Sequence, residues 1–381
     1  MSRNARKALF CSASYALTPG GGGVQRCTRE YLEVARLAGF EVELLPYDVD
    51  QSLGTKVRRR LFRRPYHDFL PKRAADDCLR ALDAGDAGWL FLNQVEPGPL
   101  AVALAGRLPP DVRVAMLSHG LDSSDFAHYA RFQAEQKGRN PGSVRESWWL
   151  GRQLFEEMRH HRAFDVTFCL SETDLWIARW LGARDVVLLP RAVDFAPLEW
   201  SPVDGRVGHV ATLVHAPNLE GLILLCGEIA RQGAGKLRLR LIGSPREKGA
   251  WLANQYPFID YLGPLSDEEM TREAATWCCF TNPIFCYARG CSTKLAVPLG
   301  WRLPVTSSRA GARGYRWDEE LSPLCDTPAE LARETLRLSD LREATAARPL
   351  CSRLADASPD MASVAERFRD ALERADRRGR G

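Results

Sequence analysis

Short apolar runs alternate with amphipathic segments along most of this chain. Runs of this length, bounded by glycine or polar residues, are typical of strands buried in a parallel sheet, and the segments between them have the spacing of helices. The predicted strands of the first half are 8–14, 41–45, 89–93, 113–117, 166–170 and 186–189. Those of the second half are 207–213, 236–242, 258–262, 277–280 and 303–307. The alternation predicts an α/β fold built from doubly wound parallel sheets.

The alternation breaks at 199–206, where the sequence reads EWSPVDGR. A chain of 381 residues is long enough for two cores of ordinary size, so we place a domain boundary there. The predicted units are an N-terminal Rossmann-like domain, 1–199, and a C-terminal Rossmann-like domain, 207–358. The amphipathic segment 359–381 is predicted to be a helix that packs back on the N-terminal domain. Two such domains enclose a cleft, which is a common site for ligands.

The composition is that of a soluble globular protein, with 45% hydrophobic and 26% charged residues. The net charge of +4 gives no reason to expect a polyanionic partner such as nucleic acid. Arg3, Arg6 and Lys7 precede the apolar stretch 8–17, as in a signal peptide, but this stretch is short and runs directly into glycines. We therefore predict a first strand there. No run of about 18 apolar residues exists, so no membrane span is predicted.

The eleven cysteines are odd in number and form no CxxC pairs, and most lie inside apolar runs. This usage indicates buried, reduced thiols and argues against a disulfide framework or a zinc site. The predicted localisation is therefore the cytoplasm.

The segment 56–64 reads KVRRRLFRR and places six positive charges in nine residues. A basic amphipathic segment of this kind can rest on an anionic membrane surface, where each Lys or Arg contributes about 1 kcal/mol. It can equally be the solvated face of a helix. Nucleic acid is the less favoured partner, because no aromatic platform accompanies the charges.

A polar loop follows the predicted strand 277–280 and precedes an apolar stretch with helical character. Its polar residues are Arg289, Gly290, Ser292, Thr293 and Lys294. Ligands of parallel α/β sheets bind outside the carboxyl ends of the strands, where helix N-termini offer unpaired N–H groups to phosphates. The loop therefore predicts a site for the phosphates of a nucleotide-linked ligand. The alternative is an ordinary turn with solvated basic side chains.

Two features of the first half lie at strand ends of the same kind. The glycines 20–23 follow the first strand and precede a predicted helix at 24–38, but they lack the spaced GxGxxG pattern of a dinucleotide site. A loop facing the cleft is the better interpretation. His119 comes directly after the strand 113–117, a position that favours a role in ligand binding over the structural role more common for a lone histidine.

Taken in order, these motifs resemble those of retaining GT-B fold glycosyltransferases of family four, the glycogen-synthase and lipid-mannosyltransferase type. The resemblance covers nearly the whole chain. It is carried by the glycine loop and helix 20–38, His119, Ser171, 189–194 (LPRAVD), 216–218 (APN), Ile242-Gly243, 260–263 (DYLG) and the block 290–304. No single motif is specific, but their order and spacing together are.

The resemblance implies a two-domain enzyme whose first domain binds the acceptor and whose second binds a nucleoside-diphosphate-sugar donor. In such enzymes the lysine that matches Lys294 contacts the donor diphosphate, and the histidine that matches His119 lies by the donor sugar. The implied catalytic residues are His119 and Lys294, and the implied donor-binding residues are Gly21, Gly22, Gly23, His215, Gly243, Arg289, Gly290, Ser292, Thr293 and Lys294. Transfer with retention needs no protein nucleophile, and no metal cofactor is expected because basic side chains can take the charge of the leaving group.

This chain departs from the family pattern at its most diagnostic positions. The two glutamates that family members carry eight residues apart fall on Arg289 and Val297, so the carboxylate that binds the ribose hydroxyls is missing. His215 stands where a basic pair is usual. Lys294, Pro298 and Leu299 are similar to a Lys-x-x-x-Pro-Leu pattern of some subgroups.

These departures leave three functional hypotheses open. The first is an enzyme that transfers a sugar to a cell-surface glycan or a lipid-linked acceptor. The second is a degenerate glycosyltransferase-like protein that binds without turnover or serves as a partner subunit. The third, an epimerase-type enzyme, would need acid/base carboxylates that the sequence does not locate.

Overall fold

In a computed structural model of the chain, the described residues are 6–19, 22–49, 52–62, 66, 74–287 and 290–378, without the side chains of 58–62. The chain divides into two compact units. The first comprises residues 1–190, 288–291 and 361–381, and the second comprises 191–287 and 292–360.

The first unit alternates strands and helices from its start. The strands are β1 Arg6–Ala13, β2 Phe40–Tyr47, β3 Trp89–Asn93, β4 Arg113–Leu117, β5 Val166–Cys169 and β6 Val186–Leu188. The helices that follow them are α1 Gly23–Leu37, α2 Leu53–Phe62, α3 Ala74–Gly85, α4 Gly98–Leu104, α5 Asp122–Gln136, α6 Val144–His161 and α7 Glu172–Trp180. A short 3-10 turn, Ser14–Leu17, continues β1.

All strand pairs of this sheet are parallel, in the order β2-β1-β3-β4-β5-β6. The strands β3, β4 and β5 are almost wholly buried because helices cover both faces, which explains their continuous apolar runs. The connections leave β1 in opposite directions, so the topological switch point lies between β1 and β3. The residues that follow these two strands are therefore placed where ligands bind.

The second unit repeats the plan with a different strand order. Its strands are β7 Arg206–Thr212, β8 Arg238–Ser244, β9 Ile259–Gly263, β10 Cys279–Asn282, β11 Val305–Ser308 and β12 Leu324–Cys325. Its helices are α8 Ala216–Gln232, α9 Arg246–Gln255, α10 Asp267–Ala274, α11 Ala296–Gly300, α12 Arg309–Ala312, α13 Pro328–Leu338 and α14 Leu341–Asp356. The parallel order β12-β11-β10-β7-β8-β9 is that of a Rossmann sheet, with its switch point between β7 and β10.

The last helix, α15 Met361–Arg378, belongs to the first unit. Phe368 is fully buried and packs its ring against Phe40, Phe91 and Phe168, with ring centroids 4.5–6.4 Å apart. Arg369 donates to the carbonyl oxygen of Ala38 at the end of α1. Aromatic packing of this kind makes α15 part of the first core.

The second unit begins at Arg191, before the sequence break at 199–206. The amides of Arg191, Val193 and Leu198 donate to the carbonyl oxygens of Gly314, Pro359 and Trp301, all in the second unit. The Pro190-Arg191 pair directly after the predicted strand 186–189 predicts an outward turn, but the side chain of Arg191 is buried. The connection is thus packed structure and not an exposed linker, and periodicity alone could not reveal this because the segment is neither strand nor helix.

The region 122–147 is more helical than its composition suggested. The polar, glycine-containing stretch 133–147 predicts a loop, and the pattern of 148–161 predicts a helix. In the structure α5 continues to Gln136, and α6 begins at Val144, four residues before that predicted start. Ser143 and Glu146 form a capping box, in which each side chain accepts from the other residue's backbone N–H. This signal, S-x-x-E, is readable in the sequence.

All eleven cysteine side chains are buried, as their apolar surroundings predicted. Within the part of the chain that the structure describes, no helix combines the length and the apolar character needed to cross a bilayer.

Candidate functional site

Lys294 lies at the switch point of the second sheet, between β10 and α11. Its Nζ donates to the Oδ1 of Asn218 at 2.5 Å. Asn218 stands in the first turn of α8, and its Nδ2 donates to the carbonyl oxygen of Thr212, the last residue of β7, at 3.0 Å. The side chain of Asn218 therefore connects Lys294 to the end of β7 and to the start of α8.

The charge of Lys294 has no carboxylate partner among the described residues. The side chain is half-buried, and desolvation lowers the pKa of its ammonium group to about 7. Its one hydrogen-bond acceptor there is the neutral amide of Asn218. A partly desolvated cation of this kind is stabilised by an anionic ligand, and the N–H groups of the first turn of α8 favour the same charge.

His209, in the middle of β7, lies in the interior beside this lysine. Its ring is fully buried, and its Nδ1 donates to the carbonyl oxygen of Thr281 at 2.9 Å, which leaves Nε2 as an acceptor without a partner among the described residues. Burial first, and the positive charge of Lys294 second, lower the pKa of His209 to about 3. The imidazole is therefore neutral and adds no positive charge to that of Lys294.

The ends of β10 and β11 add further buried polar groups. Asn282 donates from Nδ2 to the Oγ of Ser307 at 3.2 Å, and its Oδ1 has no partner within the described ranges. Ser308 accepts from the amide of Gly311 at 3.1 Å and so caps α12. These residues are fully buried at a strand edge where an ordinary core would be apolar.

The remaining donor-binding candidates of the second unit lie around this point. His215 is exposed at the start of α8, and the carbonyl oxygen of Ser292 accepts from the hydroxyl of Tyr315 at 2.5 Å. Thr293 is half-buried next to Lys294. Gly243 approaches β7 so closely that a Cβ there would overlap the carbonyl oxygen of Ala211, so no larger residue fits.

In the first unit, His119 follows β4 and is half-buried. Its Nε2 is 2.9 Å from the Oδ1 of Asn93 at the end of β3, and its ring packs 5.7 Å from the ring of Tyr31 on α1. Gly290 lies against the backbone of His119, where a Cβ would overlap its carbonyl oxygen. The sequence therefore placed His119 at a strand end correctly, and the fold adds Asn93 as its partner.

A buried carboxylate holds the start of α5, shortly after His119. Glu157 on α6 accepts from the hydroxyl of Tyr66 at 2.6 Å, from the amide of Ser123 at 2.9 Å, and from the hydroxyl of Ser123. Burial raises the pKa of Glu157, while these donors oppose the shift. The contacts fix the first turn of α5 and with it the chain that leaves His119.

The glycine loop is described only in part. Gly22 precedes α1, and Gly23 is its first residue. Gly21 and Arg289 lie outside the described residues. Val297, where the family carries a ribose-binding glutamate, is buried in α11. Among the residues that the structure describes, no group of three or more His, Cys, Asp or Glu side chains could hold a metal ion.

Several polar residues of these sites, His209, Asn282 and Asn93 among them, were not predicted to be functional. His209 lies inside an apolar run, Asn93 ends one, and Asn282 follows one closely. A polar residue within or at the end of a predicted buried strand is the signal that could have found them, since such residues are costly unless hydrogen-bonded.

Comparisons with known proteins agree with this architecture. The chain is similar in structure to a sucrose-phosphate synthase from Thermosynechococcus elongatus, with a TM-score of 0.72 and 13% identity over 97% of this chain and 98% of that one. It is similar to a lipopolysaccharide outer core galactosyltransferase, with a TM-score of 0.58 and 11% identity over 97% and 99%. An O-GlcNAc transferase mutant from Thermobaculum terrenum gives a TM-score of 0.57 and 15% identity over 98% and 68%.

No family model matches the chain, and no curated protein sequence matches it. At identities of 11–15% the structural likeness establishes the fold and not the activity. The predicted fold class, two doubly wound α/β units of the GT-B type, is confirmed, and so is the resemblance to glycosyltransferases at the level of the fold.

Proposed function

We propose that this protein is a glycosyltransferase that moves a sugar from a nucleoside-diphosphate-sugar to a hydroxyl group of a cell-surface glycan or lipid-linked acceptor, with retention of configuration. The observation that carries the proposal is Lys294. It is a half-buried cation at the switch point of a Rossmann sheet, and its single described hydrogen bond goes to a neutral amide. A diphosphate supplies the missing negative charge.

The reaction breaks the bond between the anomeric carbon and the diphosphate and forms a bond from that carbon to the acceptor oxygen, whose proton passes to the departing diphosphate. Negative charge develops on the leaving diphosphate. Lys294 and the N–H groups at the start of α8 stabilise this charge, and Arg289 adds to it. We assign no metal to this step. His119 contacts the donor sugar in this proposal.

The remaining assignments follow the family resemblance. The second unit binds the donor, with His215, Gly243, Ser292 and Thr293 near the nucleotide, and Gly290 of the first unit is assigned the same role. The first unit binds the acceptor, with Gly21, Gly22 and Gly23 beside it or beside the phosphates.

A degenerate, non-catalytic binding protein is the second candidate. Val297 favours it, because a buried valine in α11 cannot bind ribose hydroxyls as a carboxylate does. Under this hypothesis Lys294 holds a nucleotide that is not turned over.

Release of nucleoside diphosphate from a panel of nucleotide sugars tests the proposal. We expect turnover of at least one donor, and Lys294→Ala should lower kcat/KM about 100-fold, the effect of removing one group that stabilises transition-state charge. Lys248→Ala is the matched control, because Lys248 is exposed on α9. Binding of a nucleotide without release would favour the degenerate protein, and Lys294→Ala turnover equal to wild type would refute the site.

We also propose that the protein works in the cytoplasm and that residues 56–64 contact an anionic membrane. The segment spans the end of α2, and its charge pattern supports the proposal. Liposomes rich in anionic lipid should retain the protein at low salt, and a variant with Arg58, Arg59 and Arg60 changed to Gln should be retained less. Equal retention of both would show that the segment is only a solvated face.

A further inference from the structure

The helices α5 and α6, between β4 and β5, pack together as a hairpin whose tip carries an excess of positive charge. The tip, residues 137–152, reads KGRNPGSVRESWWLGR and holds four basic residues against one acidic residue, Glu146. Residues 135–145 are all exposed. Exposed charge of one sign favours a partner of the opposite sign. The basic residues are Lys137, Arg139, Arg145 and Arg152.

Both helix ends at the tip have a defined geometry. After α5, Gly138 has a left-handed backbone with a φ of +59°, and the amide of Arg139 donates to the carbonyl oxygen of Ala134 at 2.8 Å. At the start of α6, the carboxylate of Glu146 accepts from the amide of Ser143 at 2.8 Å as part of the capping box. The positive charges are therefore presented by a folded turn, and the carboxylate of the tip is used to hold that turn.

The tip projects past the carboxyl edge of the first sheet. The helix α6 has 18 residues, a length of about 27 Å, whereas β5 has 4 residues, a length of about 13 Å. Because α6 ends at His161, shortly before β5 begins at Val166, the excess length lies at the start of the helix. None of the residues 144–152 is buried, and buried side chains appear only from Gln153 onward. The tip therefore stands at the edge of this unit where ligands of parallel sheets bind.

Apolar side chains stand among these charges. Val144 is 88% exposed, the largest exposed fraction among the large apolar residues that the structure describes. Trp148 follows one turn later and is 41% exposed, and the guanidinium of Arg152 lies 5.8 Å from the centre of its ring. Basic side chains beside an exposed aliphatic residue and a tryptophan are the combination that lies in the headgroup region of anionic membranes. A second copy of the chain is not favoured as the partner, because two basic tips repel each other.

We propose that residues 137–152 are a docking surface for an anionic lipid membrane, with Lys137, Arg139 and Arg145 on the lipid phosphates and Val144 among the headgroups. This surface is distinct from the segment 56–64. The docking itself does not depend on the proposed glycosyltransferase function. Its purpose does rest on that function, since docking holds the ligand-binding edge of the first sheet close to a membrane that carries a lipid-linked acceptor.

Sedimentation with vesicles measures the docking. Phosphatidylcholine vesicles that contain phosphatidylglycerol should bind the wild type at low salt, and vesicles without phosphatidylglycerol should bind it far less. The triple variant Lys137→Gln, Arg139→Gln and Arg145→Gln should lower the partition coefficient about 100-fold, because each charge near an anionic surface contributes about fivefold. The matched control removes the same charges from exposed positions of the second unit, with Lys248→Gln, Arg333→Gln and Arg342→Gln. An equal loss in both variants would show an effect of net charge alone and would overturn the proposal.

A fluorescent label tests whether the tip itself meets the membrane. All eleven native cysteines are buried, so Val144→Cys adds a thiol that is accessible to a polarity-sensitive label. The emission of this label should shift to the blue when anionic vesicles are added, while that of Val203→Cys, an exposed position of the second unit, should not. Sedimentation without a shift at position 144 would assign the binding to another surface, such as 56–64, and would overturn the proposal. A shift that grows with protein concentration in the absence of vesicles would mean that a second copy covers the tip, which would overturn it as well.

Turnover in solution separates the docking from the proposed function. The triple variant should release nucleoside diphosphate from a soluble donor at the wild-type rate, because its three residues lie outside the proposed donor site. If the label at position 144 responds to vesicles but no nucleotide sugar is turned over, the proposed function fails while the docking surface stands. If nucleotide sugars are turned over but the label does not respond, the docking surface is refuted while the proposed function stands.

Discussion

At the carboxyl edge of the first sheet, Asn93 donates to Ser12 and Thr28 and accepts from His119, so the group is neutral and its amide is fully paired. At the corresponding edge of the second sheet, Lys294 has one neutral acceptor among the described residues. The buried acceptors of His209 and Asn282 nearby have no partner within those residues.

This difference indicates which unit needs a ligand to complete its electrostatics. A complete neutral network is rigid and can orient a bound group by hydrogen bonds, as a sugar requires. An uncompensated cation gains most from an anion, as a diphosphate provides. The edge of the second sheet therefore favours an anionic ligand, in agreement with the proposed function.

The largest expected difference between the units is their response to acid. Burial lowers the pKa of His160 to about 3 and of His161 to about 4 in the first unit, and of His209 to about 3 in the second. In the unfolded chain these histidines bind protons at about pH 6.5. The folded units therefore keep their full stability above that pH and lose stability as the pH falls toward the lowered pKa values of the folded protein. Between pH 6.5 and 5 each histidine costs about 2 kcal/mol, which gives about 4 kcal/mol for the first unit and half of that for the second.

Hydrogen exchange of each unit at pH 7 and pH 5, corrected for the intrinsic rate, measures this difference. His161→Leu should remove about half of the loss in the first unit, because neither ring nitrogen of His161 has a hydrogen-bond partner among the described residues. Equal protection of the first unit at both pH values would contradict the prediction. The carboxylates whose pKa values are lowered by ion pairs titrate below this window.

The next effect concerns nucleotide affinity. The pKa of Lys294 is about 7 in the free protein, and a bound diphosphate raises this pKa. Above pH 7, Lys294 must therefore gain a proton when the nucleotide binds. Affinity for UDP should therefore fall about 50-fold between pH 7 and pH 9. Lys294→Arg should bind with nearly constant affinity over this range, because arginine stays charged.

Calorimetric titration in two buffers of different ionisation enthalpy counts the proton directly; GDP and ADP replace UDP if UDP does not bind. A wild-type affinity that is as flat as that of Lys294→Arg would show that Lys294 is already protonated in the free protein. It would also weaken the contrast drawn between the two sheet edges.

The smallest effect is one in which the units should not differ. Capping boxes start α6 in the first unit and α13 in the second, with Ser143 and Thr327 as the N-caps. Ser143→Ala and Thr327→Ala should each lower the free energy of unfolding by about 1 kcal/mol in urea denaturation. Ser201→Ala is the control, since its hydroxyl makes no hydrogen bond within the described residues. A large difference between the two caps would mean that the units do not respond alike to the loss of an N-cap.

Much of the fold was predictable, because buried parallel strands are read from short apolar runs. The predicted strand 113–117 has the same bounds as β4, and 89–93 the same as β3. The beginning of α6 was wrong by four residues because a polar, glycine-containing segment hid its capping box. The packed segment 191–198 had no periodic signal at all.

For the site, the sequence by itself determined that His119 directly follows a strand and that Lys294 lies in the polar loop between a strand and a helix, since chain order fixes both positions. Only the tertiary structure decided their partners. Asn93 meets His119 because β3 and β4 are neighbours. Asn218 and Lys294, 76 residues apart in sequence, meet because α8 starts beside the end of β10. Hydrogen bonds and desolvation act through space, so the hydrogen-bond partner of His119 and the pKa of Lys294 follow from the fold and not from local sequence.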